Sequence, residues 1–177
     1  MNTYLNDSSE IIHLVLKDDG IFPNNKLPVI LYRGIILLSG KDEAVIVENI
    51  FNGNCWVNSW RNGIYGFHHY HSTAHEVLGV YGGSARVQLG GEKGKIFELE
   101  KGDVVLVPAG LAHKNLVSSN DFRVVGAYPE GQSWDMNYGR KGDRPTADQN
   151  IQNVPLPELD PVLGKKGPMI QLWIKER

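Results

Sequence analysis

From Ser72 to Asn120 the chain keeps meeting residues that turn a backbone. Ser72-Thr73, Gly82-Gly83, Gly90-Gly91, Lys101-Gly102 and Ser118-Ser119-Asn120 divide it into short apolar stretches. Glycine, asparagine and serine do this because they tolerate unusual backbone angles or hydrogen-bond their own main chain. The stretches 65–71, 76–81, 84–89, 95–99, 104–107 and 122–128 read as strands. Short strands punctuated in this way predict a sandwich or barrel rather than a βαβ fold. The 20 glycines and 9 prolines agree with an all-β architecture.

Upstream, residues 11–17 (IIHLVLK) and 29–38 (VILYRGIILL) are two more strand candidates, with turn material over 18–25 between them. Residues 41–51 (KDEAVIVENIF) carry the one helical pattern. Ala44, Val47 and Phe51 share a face, Ser39 can cap the start, and Asn52-Gly53 can end it. Valine and isoleucine suit a strand equally, so helix and strand both stay open there. After Pro129 the texture changes. Residues 129–168 are rich in Gly, Pro, Asp and Asn, and QLWI at 171–174 suits a last strand. So long a tract without period is usually functional or interfacial. Trp134, Met136, Tyr138, Ile151 and Val154 give it apolar anchors, so it is expected to pack on the barrel or on a partner chain. The expectation is a single domain over 1–177, with its core at about 56–128 and a tail over 129–177.

A net charge of -2 offers no basic face for nucleic acid. No apolar run approaches the roughly 20 residues that span a bilayer, so no membrane partner is expected. The start, MNTYLNDSSE, has neither the basic nor the apolar region of a secretory signal. The single cysteine, Cys55, forms no internal disulfide, and a cytoplasmic setting is expected.

Four of the six histidines crowd into GFHHYHSTAHEVLGVYGG: His68, His69, His71 and His75, with Glu76 directly after. In extended chain, residues i and i+2 point the same way, so His69 and His71 can reach one point. A strand starting near His75 can bring the Glu76 carboxylate back beside them. His113, just past the turn Pro108-Ala109-Gly110, completes three imidazoles and one carboxylate if that hairpin lies next to the first. A lone H-x-H pair is more often a solvated or hydrogen-bonded feature than a metal site. His68 has the opposite parity to His69, and His75 sits beside Glu76 facing away; both read as flanking residues. His75 is a weak candidate for an acid/base role. His13 reads as structural.

The spacing as a whole resembles the two signature motifs of the cupin superfamily. The first is Gly63, five residues, His69-Tyr70-His71, four residues, Glu76, six residues, Gly83. The second is Gly102, five residues, Pro108-Ala109-Gly110, two residues, His113. One departure is visible: the second motif closes in the family on Asn four residues past its His, where Val117 stands here, with an Asn at 115. The segments KDDGIFPNN (17–25), residues 68–91 and VVGAYPEGQSWDMNYG (124–139) are similar to the YjlB-like group of bacterial single-domain cupins.

That resemblance implies a cupin barrel (a double-stranded β-helix or jelly roll) with a short N-terminal helix and a long irregular C-terminal tail. It implies one divalent metal ion, Fe, Mn, Ni, Zn or Co, on His69, His71, Glu76 and His113. It further implies a metal-dependent small-molecule enzyme of dioxygenase type. A sugar or keto-acid isomerase or epimerase and a non-enzymatic ligand-binding module are the alternatives. The partners it implies are a small-molecule ligand and a second copy in a homodimer. Tyr65, Phe67, Val80, Val87, Leu89, Val105 and Val107 are the candidates for the pocket wall.

Overall fold

The computed structural model describes residues 4–6 and 8–175, the last by its backbone alone. In chain order the strands are β1 (Ile11–Leu14), β2 (Val29–Tyr32), β3 (Trp56–Asn62), β4 (Glu76–Gly82), β5 (Ser84–Leu89), β6 (Lys95–Glu100), β7 (Val104–Val107), β8 (His113–Ser118) and β9 (Arg123–Pro129). Helix α1 (Glu43–Gly53) precedes β3, and helix α2 (Thr146–Asn153) lies in the tail. Two antiparallel sheets form, one of six strands in the order β1-β2-β7-β4-β9-β3 and one of three in the order β6-β5-β8. This is the expected all-β barrel with a small helix.

Strands β2, β4, β7 and β9 are apolar at nearly every position, and the packing says why. One face of the large sheet looks into the barrel, where Leu78, Val80, Val105, Val107 and Val124 meet Val87, Leu89 and Leu99 of the small sheet. The other face is also covered. There Ile30, Tyr32, Val77, Val104, Leu106, Val125 and Ala127 pack under α1 and the tail. A strand buried on both faces has no reason to alternate polar and apolar residues. Alternation persists only as a division of labour, with Val104 and Leu106 outward and Val105 and Val107 inward.

Helix α1 lays Ala44, Val47, Ile50 and Phe51 on that outer face. It approaches so closely that a Cβ at Gly79 would stand 2.6 Å from Val47 Cγ1 and 2.9 Å from Phe51 Cζ. Its cap is Asp42, whose carboxylate accepts from Val45 N, and not Ser39. An aspartate here also places negative charge at the positive end of the helix.

Several boundaries depart from expectation. The 11–17 and 29–38 stretches contract to β1 and β2. Residues 65–71 form no regular strand and pair only through isolated bridges, His69 with His113 and Tyr70 with Asn137. Strands β3 and β8 lacked a clean apolar pattern, because each is largely exposed on one side. QLWI is no strand; it lies in a π-helix, Ile170–Lys175. The period there brings Met169 and Trp173 together onto the sheet, both fully buried. Trp173 Nε1–H donates to Pro28 O at 2.9 Å. Asp160, also buried, accepts from Tyr32 Oη at 2.6 Å and from the amides of Val162, Leu163 and Met169. The tail thus packs on the barrel, but its anchors are Val162, Met169 and Trp173 rather than Trp134 and Tyr138, which are exposed.

Candidate metal centre

The site is built where an irregular segment is clipped to a strand. His69 N donates to His113 O at 3.2 Å, and His113 N returns the bond to His69 O at 3.0 Å. Gly110 N donates to His71 O at 2.7 Å, tying the second motif's turn to the first motif. Extended backbone between these clips sends His69 and His71 to one side and Tyr70 to the other, where it packs with Phe22 and Ala112. Glu76 opens β4 and shares its inward parity with Leu78 and Val80.

The structure brings His69, His71 and His113 together, all buried, with one ring nitrogen of each within 4.8 Å of the others. Glu76 Oε2 lies 3.5 Å from His71 Nε2 and 3.4 Å from His113 Nε2. That oxygen is buried and accepts no hydrogen bond, whereas Oε1 accepts from Tyr128 Oη at 3.0 Å. The far nitrogen of every ring is occupied. Nδ1 of His69 faces Phe67 O at 3.2 Å, that of His71 faces Asp135 O at 2.5 Å, and that of His113 faces Leu111 O at 3.1 Å. A carbonyl accepts only, so each Nδ1 must carry a proton, and Nε2 is the nitrogen that offers a lone pair whenever the ring is neutral. Three Nε2 atoms and one orphaned carboxylate oxygen converge, a donor set that fits a divalent cation.

The electrostatics follow from this crowding. Burial, reinforced by His113, pushes His69 down to about 3, so it is neutral at neutral pH. Burial also disfavours charge on His71, but the Glu76 carboxylate outweighs it and raises that ring above its ordinary value. For Glu76 itself, burial opposes ionisation, yet His71 and His113 hold it well below the usual carboxylate range. Burial and the neighbouring Glu76 carboxylate push the Tyr128 phenol far up, so it remains a donor.

A cavity of about 220 Å³ opens onto this cluster. Of the residues expected to line it, only Tyr65 does; Val80, Val87, Leu89, Val105 and Val107 are packed into the barrel core, and Phe67 stacks on Tyr65 from outside. The walls come from Trp60, Leu78, Tyr128, Trp134 and Met136, all missed from sequence. Leu78 was within reach, being two residues from Glu76 on the same strand face. Trp134 and Met136 lie in the aperiodic tail, where no pattern marks a direction. Trp60 reaches across β9 because position 126 is glycine; a Cβ there would lie 2.2 Å from the indole carbons. Its Nε1–H then donates to Tyr128 Oη at 2.9 Å.

His68 lies against Phe22, its Nε2 3.3 Å from Glu92 Oε1. His75 is buried away from the cavity; its Nδ1 accepts from Ala109 N at 3.0 Å and its ring packs on Trp173. Asn115 hydrogen-bonds Ser118 Oγ beside the bulge between β5 and β8, and Val117 is exposed.

A barrel of this topology, with a histidine-and-carboxylate cluster inside it, has the form of a cupin, and the comparisons agree on that fold family. The sequence profile of the Cupin family matches residues 55–126. The chain is 40% identical over 159 residues to the uncharacterized protein YjlB of Bacillus subtilis (strain 168), covering 89% of this chain and 93% of that one. The chain belongs to the cupin family, in its YjlB-like bacterial group. Among solved structures, it is similar to the dTDP-6-deoxy-D-glucose-3,5-epimerase RmlC of Legionella pneumophila Philadelphia 1. That match has 15% identity and a TM-score of 0.40, over 83% of this chain and 85% of that one. It is also similar to procruciferin, the 11S globulin of Brassica napus, at 17% identity and a TM-score of 0.37. That match covers 73% of this chain and only 27% of the globulin. No helix among the described residues is long and apolar enough to cross a membrane.

Proposed function

We propose that this protein is a divalent-metal enzyme acting on a small molecule, with dioxygenase-type oxidation as its reaction. The ligands in this reading are Nε2 of His69, His71 and His113 and Oε2 of Glu76. The observation that carries it is the commitment of all three Nδ1 atoms to backbone carbonyls, which leaves three Nε2 atoms aimed at one point beside an unsatisfied carboxylate oxygen. A bound ion of the Fe, Mn, Ni, Zn or Co type supplies a Lewis acid and, for iron or manganese, a centre for dioxygen chemistry.

What the chain's own residues do favours oxidation over isomerisation. Moving a proton between carbons needs a positioned base besides the metal ligands. Among the described residues lining the cavity, Glu76 is the one carboxylate, and the imidazoles are the three already named. Tyr128 is held as a hydrogen-bond donor to Glu76 and is a poor base in that state. Most of the remaining wall is aromatic and aliphatic, with Arg61 and Asn62 beside it. It shields the reacting atoms from bulk water and leaves the chemistry to whatever binds at the donor cluster.

The first test is elemental analysis of protein purified without a histidine tag, against a His69→Ala, His113→Ala double variant. The wild-type chain should retain a divalent metal through dialysis and the variant should not; equal metal in both sinks the ligand assignment. The second test is oxygen uptake by the Fe(II)-loaded protein on a panel of catechols, β-diketones and thiols. Silence there, with turnover of keto sugars, would move the reading to an isomerase.

A further inference from the structure

Aromatic side chains gather at the mouth of the cavity and stay exposed. Trp134 and Tyr65 are each 50% exposed, Phe67 is 47% and Tyr138 is 39%. Exposed aromatic surface clustered at one spot marks binding more often than chance. Three of these rings touch the donor cluster directly, Phe67 meeting His69 at 5.7 Å. Trp134 lies 5.5 Å from the His71 ring and stacks over Tyr128 at 6.2 Å with an interplanar angle of 24°. Tyr65 meets His69 edge-on at 5.2 Å and stacks on Phe67 at 4.9 Å and 16°. Both histidines are therefore flanked by an aromatic ring that presents half its surface outward.

Charge at the mouth points the same way. Among the described residues lining the cavity, Arg61 is the one cationic side chain, and it is already paired: its Nε and Nη2 donate to the two Glu48 oxygens at 2.6 and 2.8 Å. Those described residues therefore offer no free cation to a phosphate or a second carboxylate. Size sets the remaining bound. An apolar cavity of roughly 150 Å³ accepts benzene. The cavity here, about 220 Å³, holds one such ring together with a short polar head.

We infer that the site takes a monocyclic, planar, uncharged ring bearing one short polar head. The polar head faces the donor cluster and the ring lies against Trp134 and Tyr65. This rests on the metal reading above, and it narrows the ligand class within it.

A pair of probes with identical donor atoms separates the two ideas: acetohydroxamate and benzohydroxamate, titrated calorimetrically into the full chain loaded with Zn(II) or Co(II). Wild-type protein should bind the benzo compound about tenfold more tightly or better, because stacking adds to ring burial. Trp134→Ala should erase most of that preference while leaving acetohydroxamate affinity unchanged, and Trp134→Phe should keep it. Equal affinity of metal-loaded wild-type protein for the two hydroxamates, or a preference untouched by Trp134→Ala, overturns the inference alone. Wild-type protein that takes up neither metal nor acetohydroxamate overturns the metal reading and this inference with it.

Discussion

Glu76 has two oxygens with different fates, and Tyr128 is what separates them. The indole of Trp60 can only donate, so its bond to Tyr128 Oη obliges the phenol to spend its own proton on Glu76 Oε1. Oε2 is thereby left to face the histidines. Tyr128→Phe removes the donor and leaves a buried carboxylate oxygen and the Trp60 N–H both unpaired. Partners behind a metal ligand commonly contribute about 10–100-fold in affinity, and a loss of that order is expected for Zn(II), measured by competition with a chromogenic chelator. Circular dichroism should show the fold retained. Wild-type affinity in the variant would mean that Glu76 needs no help to hold its orientation. That His69, His71, Glu76 and His113 meet at one spot was legible from sequence because their parity and spacing survive any exact strand boundary. The Tyr128–Trp60 pair was not. It depends on Gly126 making room, and a missing side chain announces no contact.

At the scale of elements, the segment after β9 decides how well His71 is held. Asp135 accepts from Ser72 N at 2.6 Å, Ser72 Oγ at 2.5 Å, Thr73 N at 3.3 Å and Asn137 Nδ2 at 2.8 Å, and its own carbonyl receives His71 Nδ1. Burial works against its charge, but the Ser72 and Asn137 hydrogen bonds hold its carboxyl below the usual value. Asp135→Ala should cost about 1–3 kcal/mol in chemical denaturation, the usual toll for stranding buried donors. It should also weaken metal binding, because the acceptor that orients His71 is no longer pinned. Unchanged metal affinity would reduce the segment to a structural strap. The tail reads as featureless in sequence because its hydrogen bonds are side chain to main chain, spaced by turns and not by a helical or strand period. The strands of the barrel were legible for the opposite reason. Their turn residues punctuate the chain, and 84–89 and 104–107 begin and end where the punctuation says.

At the scale of the whole molecule, the centre joins parts that are far apart in the chain: the 69–71 segment, the start of β4, and the start of β8 in the other sheet. A cation bound there crosslinks the two sheets, so its binding energy is also folding energy. Metal at about 100 times its dissociation constant adds roughly 2.7 kcal/mol. For a chain of this size that raises the melting temperature by roughly 5–11 °C, at about 2–4 °C per kcal/mol. The pH dependence has a definite sign. His69, pushed down to about 3, contributes stability that is complete above the unfolded histidine value near 6.5 and fades as pH falls from there toward 3. His71, raised by Glu76, stabilises the metal-free fold fully below about 6.5 and loses that contribution as pH rises through its folded value. A cation must displace the His71 proton, so metal gains ground where that proton is leaving. The difference in melting temperature between Zn(II)-loaded and chelator-treated protein should therefore widen steadily from pH 5.5 to 8. The His69→Ala, His113→Ala variant should show no difference at any pH. Differential scanning fluorimetry with and without a chelator reads both. A gap that narrows with rising pH, or one that persists in the double variant, would place the bound metal somewhere other than these four residues.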